Sequence, residues 1–349
     1  MRTFTRFYST TLLPYDRNMK SYLLIGILAI LTLKSNAQGC CSGGSGSPIA
    51  GGASQGVLAE RQVELGGNYQ HIQTNKFYTG NKRISNTIDG FNSNYLYMRF
   101  AYGVSKKLTM SVETGYFINK TQIGLDKADT IKSSGFGDLI LFPRYSVYTK
   151  NTEKTRTEIT IGVGYKIPIG KYNDSTVTYT NPTTGKKSYT TSPPTIQPTN
   201  GSNDIIFYGF VYRGYPAKQY RIFANFLYIK KGWNALGERF GDYSSVGLFA
   251  SKTFFRKVGV TLQVKGEITG KMKYDKYIDM LALYNIDVNS TGNKRLSFVP
   301  QVSYTRKNVT IYALSDLPFY QHVNGTQIGS SVQATLGATY RFYFTKMNG

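Results

Sequence analysis

Cys40 and Cys41, side by side in QGCCSGGSGSPIAGGASQG, and His71 and His322 are the only cysteines and histidines in 349 residues. Neither a zinc nor a haem site can be assembled from that supply, so no cofactor and no metal is expected. A barrel lipase or deacylase would need a Ser or Thr nucleophile beside a histidine. His71 and His322 belong to no such motif, and the chain reads as a non-enzyme. The chemistry that remains is recognition. Arg99, Glu113, Asp138, Arg144, Asn225 and Lys265, with the rings of Phe142 and Phe223, fall where polar and apolar groups could share one cavity wall. They are the candidate lumen-lining residues.

The elements that must carry these residues alternate with a period of two. Leu336, Ala338, Tyr340, Phe342 and Phe344 share one parity near the C-terminus, and Thr335, Gly337, Thr339 and Arg341 share the other. Val258-Val260-Leu262-Val264 against Thr261, Gln263, Lys265 and Glu267 repeats the pattern. Such segments are strands with one greasy face and one polar face. They are expected near 58–73, 93–104, 108–119, 136–149, 156–168, 203–214, 219–231, 241–254, 258–270, 294–305, 309–316 and 331–344. No stretch shows helical periodicity.

The connections alternate in length. Ser105–Lys107, Asn151–Thr155, Tyr215–Lys218, Phe255–Lys257 and Arg306–Asn308 are short. They interleave with the long segments 75–92, 121–134, 170–202, 232–240, 271–293 and 317–329. Short periplasmic turns alternating with long extracellular loops are how a membrane barrel is strung. The expected fold is all-β, a closed antiparallel transmembrane β-barrel of about 12 strands with its greasy parity toward lipid. The longest loop, with SPPTIQP, should be irregular.

The ends fit export. MKSYLLIGILAILTLKSNA has a basic start, a short apolar run and a small-residue end, which predicts a signal peptide over 19–37. Residues 1–18 precede a Met that already begins a complete signal, and are read as a misassigned upstream extension. Residues 38–56 read as a flexible Gly/Ser-rich periplasmic segment or plug, 57–344 as the barrel and 345–349 as a C-terminal tail. Removing residues 1–37, with their five Lys/Arg and one Asp, leaves 37 basic against 18 acidic residues, about +19. The basic residues are scattered over turns and loops, so no nucleic acid is expected as a partner. Membrane lipid and the phosphates of lipopolysaccharide are expected instead, in the cell outer membrane. Thr335-x-Gly337-x-x-Tyr340-x-Phe342 resembles the C-terminal signal that the outer-membrane barrel assembly machinery recognises, which makes that machinery a further expected partner.

GFGDLILFPRY (135–145), GVGYKIPIGKYN (162–173) and LPFYQHVNGTQ (317–327) resemble strand and loop signatures of an outer-membrane transporter family associated with phenol-degradation pathways. That family is distantly similar to the long-chain fatty-acid channels, and SPIAGGAS (47–54) resembles the segment that precedes the barrel in such bacterial proteins, those of the Bacteroidetes type among them. The resemblance implies a barrel and a transport role, and carries no binding residue with it.

The residues add a hint of their own. Ile140 and Phe142 alternate with Leu139 and Leu141, so both faces of that strand are apolar, and Phe207, Val211, Phe223 and Leu227 are expected to face the lumen. A water-filled general porin would carry polar groups there. The expected function is passive diffusion of a small hydrophobic or amphipathic solute through the lumen. The alternative is a structural or adhesive barrel that works through its extracellular loops.

Overall fold

A computed structural model describes residues 56–85, 90–124, 130–278 and 287–344. The upstream extension, the signal segment, all of the Gly/Ser-rich tract but Gly56, and the C-terminal tail lie outside the described residues. Twelve antiparallel strands close on themselves. They are β1 (Gln62–Thr74), β2 (Gly90–Gly103), β3 (Leu108–Ile123), β4 in three segments (Ile131–Phe136, Asp138–Leu141 and Arg144–Asn151), β5 (Arg156–Pro168) and β6 (Asp204–Tyr215). The remaining six are β7 (Tyr220–Lys230), β8 (Tyr243–Phe254), β9 (Val258–Thr269), β10 (Asn293–Arg306), β11 (Val309–Ile328) and β12 (Gln333–Tyr343).

Each strand pairs with its sequence neighbour, and β12 pairs with β1 to close the cylinder, Leu65 lying opposite Tyr340 and Tyr69 opposite Leu336. Closure leaves no sheet edge to expose unpaired backbone groups to hydrocarbon.

The parity rule holds around the wall. Leu96, Met98, Phe100, Met110, Val112, Ile161, Val163, Leu248, Leu262, Val264, Val302, Ile311, Leu336 and Tyr340 are exposed on the outside. Their neighbours Tyr97, Thr109, Ser111, Thr160, Ser251, Thr261, Thr335 and Thr339 are buried inside. In water an exterior this greasy would be a liability; in a bilayer it is the solvated face.

The tight turns lie at the end that carries both strand termini. In the turn between β8 and β9 the Lys257 N–H donates to the Phe254 carbonyl at 3.0 Å, and Phe255 and Arg256 both take positive φ (51° and 55°). That is the twist a two-residue hairpin turn needs, adopted here without glycine.

Two departures from the expected strands have physical causes. β4 is interrupted at Gly137 and at Phe142-Pro143; at the second break the proline removes one ladder donor. Its partnership with β3 survives, the Phe142 N–H donating to the Ser111 carbonyl at 2.8 Å and the Gly137 N–H to that of Gly115 at 2.8 Å. The segment 317–329, expected as the last long loop, is instead the upper half of β11. Leu317, Tyr320, Gln321, His322 and Val323 continue the pairing with β10, and residues 326–328 add the strand Phe77–Gly80, itself paired with Lys82–Ile84. Phe319, Tyr320 and Val323 favour extended backbone, and a neighbouring edge was available to receive them.

Candidate functional site

The barrel interior is built from one parity of every strand. Arg99, Glu113, Asp138, Phe142, Arg144, Phe223, Asn225 and Lys265 all lie on that parity, on the inner side of the wall. Most of the charges are occupied with one another.

Three ionic groups stand out. On β12, β1, β2 and β3, Arg341 Nε donates to Glu64 Oε2 at 2.7 Å, and Arg99 lies between Glu64 and Glu113 at 3.3 Å from each. The Tyr97 hydroxyl donates to Glu113 at 2.6 Å and Ser111 donates to it at 3.0 Å. Toward the extracellular end, Lys166 holds Asp138 at 2.7 Å and Asp204 at 2.9 Å, and Lys231 holds Asp204 at 3.0 Å. On β9 to β11, Lys265 pairs with Asp316 and with Glu267, which also receives Arg295 Nε at 2.7 Å. Glu64, Glu113 and Asp204 are almost wholly buried. A charge so placed persists only with its partner, which fixes the wall sterically and electrically.

Between these groups runs an apolar stripe of Ile140, Phe142, Ile206, Tyr208, Phe210, Leu227, Ile229 and Tyr243, with Tyr212 and Phe223 packed on its flank. Phe142 is packed rather than open. Its ring lies against Gly162 and Gly164 of β5, where an added Cβ would come within 3.0 and 2.8 Å of it, and edge-on to Tyr208. The part-exposed members toward the lumen are Tyr212 and Phe223, joined by Phe249, which stacks on Phe223 with centroids 4.4 Å apart.

One expectation is corrected. Phe207 and Val211 do not face the lumen: they are 42% and 49% exposed on the outer wall, where Phe207 stacks with Tyr228. Both parities of β6 are apolar, so hydropathy cannot orient it; its register does. Asp204 lies beside Lys166 and Ile206 beside Gly164 on β5, which turns Tyr208, Phe210 and Tyr212 inward. Phe223 and Leu227 face inward as expected.

Chain segments enter both mouths, and only the periplasmic one was expected from composition. From the extracellular side, the Pro-rich end of the longest loop folds down over the wall, and Ser192, Ile196, Gln197 and Thr199 are buried. Ile196 packs with Phe77, Phe91 and Ile328. Lys120 Nζ donates to the Gln197 carbonyl at 2.8 Å, Thr199 donates to Asp138, and Lys166 donates to Asn200 at 2.6 Å. The rest of that loop is not irregular throughout, since Ser175–Thr180 and Lys187–Thr191 form a hairpin. Its inward turn had one signal, a lone Ile amid polar residues in SPPTIQP. At the periplasmic end, the Val57 N–H donates to Glu158 Oε1 at 3.1 Å and the Leu58 N–H to Thr109 Oγ1 at 2.7 Å, both acceptors lying on the inner wall. The chain therefore enters β1 from inside the mouth.

Elsewhere the rim is fastened by polar groups. Burial pushes the Asp242 carboxyl up, but the Lys231 N–H at 2.8 Å, Arg239 and the Tyr228 hydroxyl outweigh it and hold Asp242 below the ordinary carboxylate range. Of the two histidines, His71 lies on the outer wall beside Asn94, 2.7 Å from its side-chain oxygen. His322 is not in a loop; it sits on β11 opposite Lys294. Among the described residues no cluster of three metal-ligating side chains forms.

No family model matches the chain, and no curated protein does. Solved structures match its fold. An outer-membrane channel from Pseudomonas putida F1 is similar with a TM-score of 0.61 at 12% identity, over 83% of this chain and 99% of that one. The KdgM porin has a TM-score of 0.35 at 9% identity, over 80% and 99% of the two chains. A deletion mutant of the TodX monoaromatic hydrocarbon channel has 0.40 at 9%, over 82% and 91%. With its greasy exterior, paired edges and even strand count, the chain is a transmembrane β-barrel of the outer-membrane kind.

Proposed function

We propose that the protein is an outer-membrane channel through which a small hydrophobic or amphipathic solute diffuses passively. The observation that carries this reading is the apolar stripe on the inner wall, Ile206, Tyr208, Phe210 and Tyr212 on β6 with Phe223, Leu227 and Ile229 on β7, packed on itself except where Tyr212 and Phe223 stay part-exposed toward the lumen. Apolar side chains turned away from lipid into a lumen gain nothing from the bilayer, and they suit a path that must desolvate its cargo. The paired charges beside them leave the path a polar flank without a large net field of either sign. Gly56 to Leu58 against the inner wall supports a partial plug formed by residues 38–56 at the periplasmic mouth. The basic loops suit lipopolysaccharide phosphates, and the C-terminal strand suits the barrel assembly machinery.

Flux through proteoliposomes tests the reading. A hydrophobic solute should cross faster than a sugar of similar size, and Phe223→Arg should slow the hydrophobic solute more than the sugar. If neither solute crosses, the structural or adhesive reading takes its place.

A further inference from the structure

Arg221 of β7 is turned into the lumen near the periplasmic end, its register neighbours being Gly214 on β6 and Ser251 on β8. Arg99, Lys166, Lys265, Arg295 and Arg341 each hold a carboxylate. Arg221 holds none among the described residues. Its Nε donates to Ser251 Oγ at 3.0 Å, the Tyr212 hydroxyl lies close enough to act on it favourably, and Arg341 adds a like charge. A half-buried guanidinium without a counter-ion is costly to keep, and it is a standing attraction for an anion.

What surrounds it selects which anion. Ser251 Oγ accepts from Arg221 and also from Thr261 Oγ1 at 2.9 Å, so its own proton is left to donate. The Tyr212 hydroxyl lies over Gly214, 2.3 Å from where a Cβ would stand, and so beside Arg221; any side chain at 214 would displace it. Immediately above these donors the wall is aromatic. Phe223 stacks on Phe249 at an interplanar angle of 15°, and Phe210 and Tyr212 stand 5.9 and 6.5 Å from Phe223. Tyr212, Phe223 and Phe249 all keep part of their surface open to the lumen. Cationic and hydroxyl donors at one end with an aromatic slab at the other match a flat ring that bears one carboxylate.

We propose that Arg221, Ser251 and Tyr212, with Phe223 and Phe249, form a subsite for the carboxylate of a small aromatic acid on its way through the barrel. The proposal rests on the channel reading and narrows its cargo. The ring stacks on the Phe223–Phe249 slab, and the carboxylate takes the guanidinium and the serine proton. Arg341, already bound to Glu64, adds its field from the neighbouring wall.

Benzoate and its neutral isostere benzamide separate the outcomes. In proteoliposomes the wild type should pass benzoate faster than benzamide. Arg221→Gln should lower benzoate flux about tenfold, the effect of losing one charge-assisted hydrogen bond, with benzamide within about twofold of wild type. Arg221→Lys should recover part of the loss, and Ser251→Ala should reproduce it in smaller measure. Each variant is first checked for the heat-dependent gel shift of a closed barrel; should Arg221→Gln lack it, Ser251→Ala and Arg221→Lys decide by the same criteria. If benzoate and benzamide pass alike and the variants change neither or both, the subsite is overturned and the channel stands. If the wild type passes neither solute, the channel reading fails by itself. Calorimetry of benzoate with the detergent-purified protein then decides the subsite: binding abolished by Arg221→Gln retains it, and no binding to the wild type overturns it.

Discussion

Arg341 on the last strand donates to Glu64 on the first at 2.7 Å, an ion pair across the seam where the cylinder closes, between residues 277 positions apart. Glu64 is 1% exposed and also receives Arg99. The two partners of this pair are therefore unequal. Glu64→Gln leaves the buried Arg99 and the part-exposed Arg341 with less compensation and should cost about 3 kcal/mol, the low end of the penalty for breaking a buried pair. Arg341→Gln leaves Glu64 still paired with Arg99 and should cost clearly less. Refolding midpoints in urea with lipid vesicles, read from the gel shift, check the order; equal losses would contradict it.

The wall is predicted to be intolerant of charge on one parity only. Leu262, 47% exposed on the outer face, and Gln263, turned inward, are adjacent in β9. Leu262→Lys should cost about 2–4 kcal/mol near the bilayer midplane, and Gln263→Lys should be mild. Ser111 is a poor inward control, because its hydroxyl lies 3.0 Å from both Glu113 and the Phe142 carbonyl and donates its one proton between them. Folding free energies of the two lysine variants in the same lipid make the comparison.

The Pro-rich turn that folds into the extracellular mouth should limit conductance. Ile196 is fully buried among Phe77, Phe91 and Ile328. Ile196→Asp places an unpaired carboxylate in that apolar seat and should release the turn. Single-channel recordings in planar bilayers should then show a larger conductance than wild type, with the gel shift retained. Unchanged conductance would mean that the turn does not narrow the path.

The fastening at Asp242 should weaken on acidification. Its carboxyl lies below the ordinary range in the folded protein, so the stability it contributes is present above the unfolded value near about 3.9 and is lost as pH falls through the folded value. Proteolytic nicking of the 231–242 loop should increase below about pH 4 in the wild type. Asp242→Asn should be nicked at a rate that no longer depends on pH in that window.

Deleting residues 42–54 with residues 1–41 left intact should raise solute leak through the reconstituted barrel. The motivating contacts are those of Val57 and Leu58 with Glu158 and Thr109. Flux equal to wild type would show that the tract does not obstruct the mouth.

Much of this architecture was legible because a strand with one lipid face announces itself by alternation. β5 matches its expected span at both ends, and β9 differs by one residue. Alternation fails where both faces are apolar. Phe207 and Phe210 are chemically alike, and only the pairing of β6 with β5 decides that the first meets lipid and the second the lumen. It fails also where a strand outgrows the membrane: LPFYQHVNGTQ carries the polar residues of a loop, yet continues as strand because β10 and Phe77–Gly80 supply backbone partners. Parity alone sufficed to turn the eight candidates inward. Their partners Glu64, Lys166, Asp204 and Glu267, and the carboxylate-free Arg221, come from distant strands whose neighbours no local spacing reveals.

The length of β11 gives the pore a handed entrance. Val309–Ile328 runs for 20 residues, against 11 for Tyr220–Lys230 of β7. At about 3.4 Å per residue the difference is on the order of 30 Å of extended backbone, shortened by strand tilt. The hairpin of Phe77–Gly80 and Lys82–Ile84 leans on its upper part and thickens it. One flank of the mouth is thus walled by continuous strand, while on the flank of β7 to β9 the strands stop sooner and loop segments, among them Glu238–Arg239 paired with Lys273–Tyr274, take over. On the proposed channel reading, the strand-walled side is the stiffer rim of the entrance, and the loop-walled side is the one whose inner wall bears Phe223, Phe249 and Arg221.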